Sequence, residues 1–205
     1  MTVLSRPGVW YLFDYGMVVS TAPEPGDWRA LEEVTGMDLA PVSSPYWANR
    51  KAFDGGKLTP REYWGGVLGR PVGAAEVELL ESLDSAQWSH LNAQTLSVLQ
   101  ALRDEQASVA LLSNMPDQMS QRHLTGSSWT RFFSKLYFSG PLGLVKPDRQ
   151  IFDHVVADLG VRPGDVVFID DNAANIATAQ KLGFITVLHT SATDLREELS
   201  KLDAR

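Results

Sequence analysis

The sequence contains no cysteine, which excludes disulfide staples, thiolate metal sites and cysteine nucleophiles together. Positive charge is also scarce. Eighteen Lys and Arg stand against 25 Asp and Glu, a formal net charge of -7, and the basic residues occur singly or in the odd pair. That balance leaves no electrostatic footprint for a phosphate backbone, so nucleic acid is not an expected partner. Long apolar runs are missing too, and no stretch approaches the roughly 20 residues of a membrane-spanning helix, so no membrane partner is expected. Arg6 followed by the largely apolar residues 8–22 has the outline of a leader peptide, but Asp14 interrupts the apolar stretch and argues against one. The expectation is a soluble cytoplasmic protein, monomeric or homodimeric. The four histidines (His90, His123, His154 and His189) fall outside the patterns described below and read as structural or solvent-facing.

What is present suffices for one large domain, or one domain with an insertion. Apolar runs at 9–16, 107–114, 135–140, 165–172 and 184–188 are short, rich in Val, Ile, Leu and Phe, and bounded by polar or turn residues, as buried strands are. Leu91, Leu96, Leu99 and Leu102 recur at helical spacing before the second run. Ile151, Val155, Val156 and Leu159 do so before the fourth, and Ile176, Ala179 and Leu182 before the fifth. Gly160 and Gly183 stand where helix C-caps belong. Strands alternating with helices imply an α/β fold, a doubly wound, Rossmann-like parallel sheet. Residues 20–88 break the alternation with helix-like pieces (Trp28 to Val34, Pro45 to Phe53, Pro60 to Leu68, Ala74 to Leu83) split by Gly and Pro. The expected organisation is a core of residues 1–19 and 89–205, with a small helical cap, 20–88, inserted after the first strand.

In an open parallel sheet the strand carboxyl ends share one edge, where ligands bind. That edge would collect Asp14, Ser113 with Asn114, and Asp170 with Asp171, and the loop "GPLGLVKPD" would bring Lys146. Carboxylates so close repel one another and take up protons unless a cation joins them. Mg²⁺ suits a site of hard oxygen donors. Each residue alone also has an ordinary reading: Asp171 or Asn172 as a helix cap, Ser113-Asn114 as a cap before Pro116 at a helix N1 position, Lys146 as a surface residue before proline. The ordered set is far more specific than its members.

With "FDYGMVV", "VALLSN", "GLVKPDRQIF" and "VVFIDDNAANIATAQKLGF" in that order, nearly the whole chain resembles the haloacid dehalogenase superfamily. It is most similar to members whose cap lies between the first two motifs, in the bacterial branch that includes α-glucose-1-phosphate phosphatase. The resemblance implies a phosphatase for a small phosphorylated substrate, with Asp14 as nucleophile forming an aspartyl-phosphate. Ser113 would hydrogen-bond the phosphoryl group, helped by Asn114, and Lys146 would balance charge. Mg²⁺ would be held by Asp14, the Gly16 carbonyl and Asp171, with Asp170 beside it.

Two positions depart from the family pattern. Most phosphatases of the superfamily carry a second aspartate, the general acid-base, where this chain has Gly16; such help contributes about 10²- to 10⁴-fold. Gly16 cannot move a proton, so an acidic leaving group such as the anomeric oxygen of a sugar 1-phosphate is expected, with activity that depends steeply on leaving-group acidity. Met17 stands where small or polar residues are commoner. In the cap, Trp28, Tyr46, Trp47, Phe53, Tyr63 and Trp64 read mostly as its own core. Tyr46, Trp47, Asn49 and Arg50 are the candidates to face substrate. The alternatives are a 2-haloacid dehalogenase, which as the resemblance implies lacks the paired carboxylates Asp170 and Asp171, and a weakly catalytic phosphometabolite-binding protein.

Overall fold

The computed structural model describes residues 3–203. Five strands, β1 (Trp10–Phe13), β2 (Ser108–Ser113), β3 (Lys135–Phe138), β4 (Val166–Asp170) and β5 (Ile185–Leu188), form one parallel sheet in the order β3-β2-β1-β4-β5. The helices of the insertion are α1 (Pro25–Thr35), α2 (Pro45–Ala48), α3 (Arg50–Asp54), α4 (Pro60–Leu68) and α5 (Ala74–Gln87). Those of the sheet layers are α6 (Ala93–Asp104), α7 (Asp117–Gly126), α8 (Ser139–Leu142), α9 (Arg149–Leu159), α10 (Ala173–Lys181) and α11 (Leu195–Asp203).

Because strand side chains alternate between faces, each strand feeds two cores. Tyr11, Phe13, Val109, Leu111, Val167 and Ile169 meet Val98, Leu99 and Leu102 of α6 and Leu195 and Leu199 of α11 on one face. Leu12, Ala110, Leu112, Val166 and Phe168 meet Ile151, Phe152 and Val155 of α9 and Ile176 and Ala179 of α10 on the other. The chain builds β1, β2 and β3 outward in one direction and then returns to place β4 on the other side of β1. The order therefore reverses between β1 and β4, and a crevice opens there at the carboxyl ends.

Some boundaries differ from the sequence reading for local reasons. The run at 135–140 stops being strand at Phe138, because Ser139 begins α8. The piece from Pro45 to Phe53 is two helices, broken at Asn49 (φ -117°, ψ 12°). Helix α1 starts earlier than expected, at Pro25, where the Asp27 carboxylate accepts from the Glu24 N–H at 2.7 Å. Pro116 is the residue that caps α7 rather than its first turn. Gly160 does take the left-handed conformation at the end of α9 (φ 67°).

Helices α1 to α5 pack around a separate core of Leu31, Tyr46, Phe53, Tyr63, Trp64, Val67 and Leu80. At the root of this cap its two connecting segments lie side by side, joined by a bridge between Ser20 and Leu91 and by the Thr21 N–H donating to the His90 carbonyl at 2.8 Å. At its far side the cap touches the core main chain to main chain. A Cβ on Gly56 (φ +69°) would come within 2.6 Å of the Gly140 carbonyl oxygen, and one on Gly55 within 2.8 Å of Val145. The Ser139 hydroxyl, at the N-terminus of α8, donates to the Asp54 carbonyl across that seam at 2.5 Å.

Candidate active site

Asp14 follows the last residue of β1, and its N–H donates to the Ile169 carbonyl of β4 at 2.8 Å. It therefore sits over the crevice where the strand order reverses. The chain then makes a wide turn, Tyr15–Val19, in which Gly16 and Met17 depart from helical geometry and whose first N–H donates to Asp14 Oδ1 at 2.7 Å. Met17 adopts φ 58° within this turn and is 42% exposed. A non-glycine residue in that left-handed region costs about 1–2 kcal/mol, strain that the surrounding turn imposes beside the nucleophile candidate.

Lys146 is 2% exposed, and its Nζ lies 2.6 Å from Asp14 Oδ1 and 2.7 Å from Asp170 Oδ2. Asn114 fixes the loop that delivers it: the Asn114 amide donates to the Lys146 carbonyl and its Oδ1 accepts from the Lys146 N–H, each at 2.9 Å. Asp170 is anchored further by the Asn172 N–H, which donates to Oδ1 at 2.7 Å, and by Asn175, whose amide reaches both carboxylate oxygens at 3.0 Å. Asn172 also caps α10 through the Ala174 N–H, so the ordinary cap reading is right for Asn172 while Asp171 remains turned to the site.

Burial raises the Asp14 carboxyl to about 7 against the pull of Lys146, with Asp170 adding to the rise. Asp171, partly exposed, is raised to about 6 by burial and then by Asp170. Burial opposes the Lys146 charge, but Asp14 and Asp170 outweigh it and hold the ammonium above its ordinary range. Asp14, Asp170 and Asp171 each place an oxygen within 4.8 Å of the others. Three carboxylates face one lysine, so the donor set fits a divalent cation: hard oxygens, incomplete neutralisation, and carboxyls pushed toward their protonated forms for lack of a further positive charge.

A cavity of about 190 Å³ opens above this cluster, walled by Asp14, Gly16, Ser113, Lys146 and Asp171 from the core and by Trp47, Arg50 and Asp54 from the cap. The structure thus gathers Asp14, Gly16, Ser113, Asn114, Lys146, Asp170 and Asp171 at one edge. Asn114 borders the cavity, while one N–H and the Oδ1 of its amide hold the Lys146 loop. Of the cap candidates, Trp47 and Arg50 line the cavity and Tyr46 and Asn49 do not. Tyr46 is fully buried: its hydroxyl donates to Asp84 at 2.6 Å and accepts from Arg50 and Gln87. Asn49, at the break between α2 and α3, is exposed outside the cavity.

Asp54, Trp88 and Asn175 are wall residues that the sequence reading missed. Asn175 carries a usable signal, since it stands in the first turn of the helix that follows Asp170 and Asp171. Asp54 carries a weaker one, a carboxylate directly before a Gly-Gly turn. Trp88 has no local signal. Of the histidines, His123 and His189 are buried, and His90 accompanies Asp27 at 2.9 Å; none lines the cavity.

The sequence model of the haloacid dehalogenase-like hydrolases matches residues 28–183. The chain is 24% identical over 199 residues to the sesquiterpene phosphatase astK of Aspergillus oryzae, covering 93% of this chain and 94% of that one. A stretch of 75 residues is 37% identical to the D-ribitol-5-phosphate phosphatase of Bacteroides thetaiotaomicron, 37% of this chain and 36% of that one. Of the curated relatives first matched, the chain spans 14% and 36% of the length. Among solved structures, a haloacid dehalogenase family enzyme of Bacteroides thetaiotaomicron, in complex with magnesium and inorganic phosphate, superposes with a TM-score of 0.74 over 93% of this chain and 98% of that one at 22% identity. No helix among the described residues is long and apolar enough to cross a membrane.

Proposed function

The chain belongs to the haloacid dehalogenase-like hydrolases, and from that premise we propose that it is a Mg²⁺-dependent phosphatase of a small phosphorylated metabolite, working through an aspartyl-phosphate on Asp14. The observation that carries this reading is the Lys146 ammonium seated between Asp14 and Asp170 with Asp171 within 4.8 Å. The two phosphatases among the relatives support phosphate as the group removed.

Asp14 attacks the phosphorus while the ester oxygen leaves on the opposite side, toward the cap. Ser113, at the end of β2, donates to the phosphoryl oxygens. Lys146 holds Asp14 oriented, favours its ionised form against the burial that raises it, and neutralises charge on the transferring group, the kind of preorganised electrostatic support on which phosphoryl transfer chiefly depends. Asp14, the Gly16 carbonyl and Asp171 would hold Mg²⁺, with Asp170 beside them, and when bound the ion supplies the positive charge that the carboxylate cluster lacks. The cap closes over the site and excludes water from the first displacement.

Gly16 leaves the core turn without a proton carrier, which by itself favours an acidic leaving group, as in a sugar 1-phosphate. Trp47 and Trp88, with ring centroids 6.5 Å apart and planes at 86°, offer an aromatic corner for a sugar face. A 2-haloacid substrate is disfavoured, because Asp170 and Asp171 would repel its carboxylate.

Phosphate release from glucose 1-phosphate, glucose 6-phosphate, acetyl phosphate and p-nitrophenyl phosphate, with Mg²⁺ and with Asp14→Asn as control, tests the reading. Release that needs Mg²⁺, disappears in Asp14→Asn and is faster from glucose 1-phosphate than from glucose 6-phosphate is the expected result. A folded, Mg²⁺-binding protein that releases phosphate from none of them would instead be a phosphometabolite-binding member of the family.

A further inference from the structure

We propose that Asp54, carried on the cap, is the proton donor and acceptor of this site, taking over across the cavity the task that Gly16 cannot perform. The proposal rests on the phosphatase reading above and goes beyond it by giving the cap a chemical part in the reaction.

Three features place Asp54 there. It walls the same cavity as Asp14 and Gly16, from the side on which the leaving group must depart. Its main chain is locked to the core by the Ser139 hydroxyl on its carbonyl at 2.5 Å. The two glycines that follow it lie against Val145 and Gly140 with no room for a Cβ. Seating of the cap is thus what delivers this carboxyl, and the delivery is fixed by backbone contact rather than by a flexible side chain.

The side chain suits the task. It is 13% exposed; Arg50 Nε donates to Oδ1 at 2.8 Å, and Oδ2 has no hydrogen-bond partner among the described residues. Arg50 does not hold Asp54 exclusively, because its Nη1 also donates to both oxygens of Asp84 at 3.0 and 2.9 Å. The charged groups around Asp54 are Arg50 on its own helix, Asp84 from α5, and Asp14, Lys146 and Asp171 across the cavity. Burial lifts the carboxyl to about 6 against the pull of Arg50, with Asp84 adding to the rise. Both protonation states are therefore accessible near neutral pH, as acid-base catalysis requires.

The steps balance. In the first, the bond from Asp14 oxygen to phosphorus forms, the ester bond breaks, and the departing oxygen takes the Asp54 proton to leave as the alcohol. In the second, water attacks the aspartyl-phosphate and gives its proton to the Asp54 carboxylate. Asp14 and inorganic phosphate are released, and Asp54 is again protonated.

The test is a leaving-group series (p-nitrophenyl phosphate, phenyl phosphate, glucose 6-phosphate) with wild type, Asp54→Asn and Asp54→Glu, each checked for fold by circular dichroism. Wild type should show a shallower dependence on leaving-group acidity than Asp54→Asn. In Asp54→Asn, kcat/KM should fall by about 10²- to 10⁴-fold on glucose 6-phosphate and far less on p-nitrophenyl phosphate, and rapid quench should show a p-nitrophenol burst as the second step loses its base. Asp54→Glu should restore part of the loss. Gly56→Ala, which displaces Asp54 without changing it, should reproduce the selective loss and serves if Asp54→Asn does not fold. Equal losses on all three esters, or none, would overturn the proposal while leaving the phosphatase intact; an inactive wild type would overturn both.

Discussion

Core and cap each bury one cation between two carboxylates. In the core, Lys146 lies 2.6 Å from Asp14 and 2.7 Å from Asp170; in the cap, Arg50 lies 2.8 Å from Asp54 and 2.9 Å from Asp84. The charge arithmetic is the same, but the surroundings differ. Asp84 also accepts from the Tyr46 hydroxyl and the Gln87 amide, and the Arg50 guanidinium, despite burial, is held above its ordinary range by Asp54 and Asp84. Neutral donors and a planar fork make the cap cluster a fixed joint. The core cluster adds a third carboxylate, Asp171, leaves Asp14 raised to about 7, and uses a compact lysine. The cap cluster pairs every carboxylate oxygen but Oδ2 of Asp54, whereas the core cluster is left wanting a cation.

Breaking each cation in turn separates these roles. Lys146→Met should lower kcat/KM by at least about 10²- to 10³-fold, measured by phosphate release in the presence of Mg²⁺. Arg50→Met should do its damage to stability first. It leaves Asp54 and Asp84 buried without a counter-charge, so urea unfolding should show a loss of about 3–5 kcal/mol, with Arg50→Lys recovering part of it.

Metal titration sharpens the contrast further. The core carboxyls at about 7 and about 6 must lose protons for a cation to bind, so Mg²⁺ affinity should rise with pH, by up to about tenfold per unit below pH 6 to 7, and flatten above it. Calorimetry at pH 5.5, 6.5 and 7.5 reads this directly. Proton release on binding should disappear in Asp14→Asn to the extent that Asp14 supplies it. The smallest effect is expected from Tyr46→Phe, which removes one neutral donor from Asp84 and should cost about 1–3 kcal/mol of stability with little change in turnover at saturating substrate. A large loss of turnover there would mean that the cap joint positions the reacting groups more tightly than its distance from phosphorus suggests.

The core cluster was legible in the sequence because topology does the work. Once five apolar runs are read as parallel strands, their carboxyl ends must share an edge, and Asp14, Ser113, Asp170 and Asp171 acquire a common place without knowledge of any side-chain angle. Lys146 joined them through its loop. The cap gave no such rule. Its helices are short, broken at Asn49 and turned at Gly55-Gly56, so which residue of Tyr46, Trp47, Asn49, Arg50 and Asp54 faces the cavity depends on helix rotation that a local pattern does not set. Tyr46 reads like a ligand-facing ring, yet Asp84, 38 residues away, draws its hydroxyl inward. Asn114 lies where its strand-end position placed it, but its pairing with the backbone of Lys146, 32 residues on, was not legible locally.

The close passage of Gly56 over Gly140 acts as a mechanical stop. Main chain rests on main chain there, so the depth to which the cap can descend is set by the thickness of two backbones and is independent of which side chains fill the cavity. Substitutions at Trp47 or Trp88 could then exchange one leaving group for another without resetting the distance across which Asp54 and Asp14 face each other, whereas a single methyl group at the stop would lift Asp54 away and be felt most by the substrates whose leaving oxygen needs a proton.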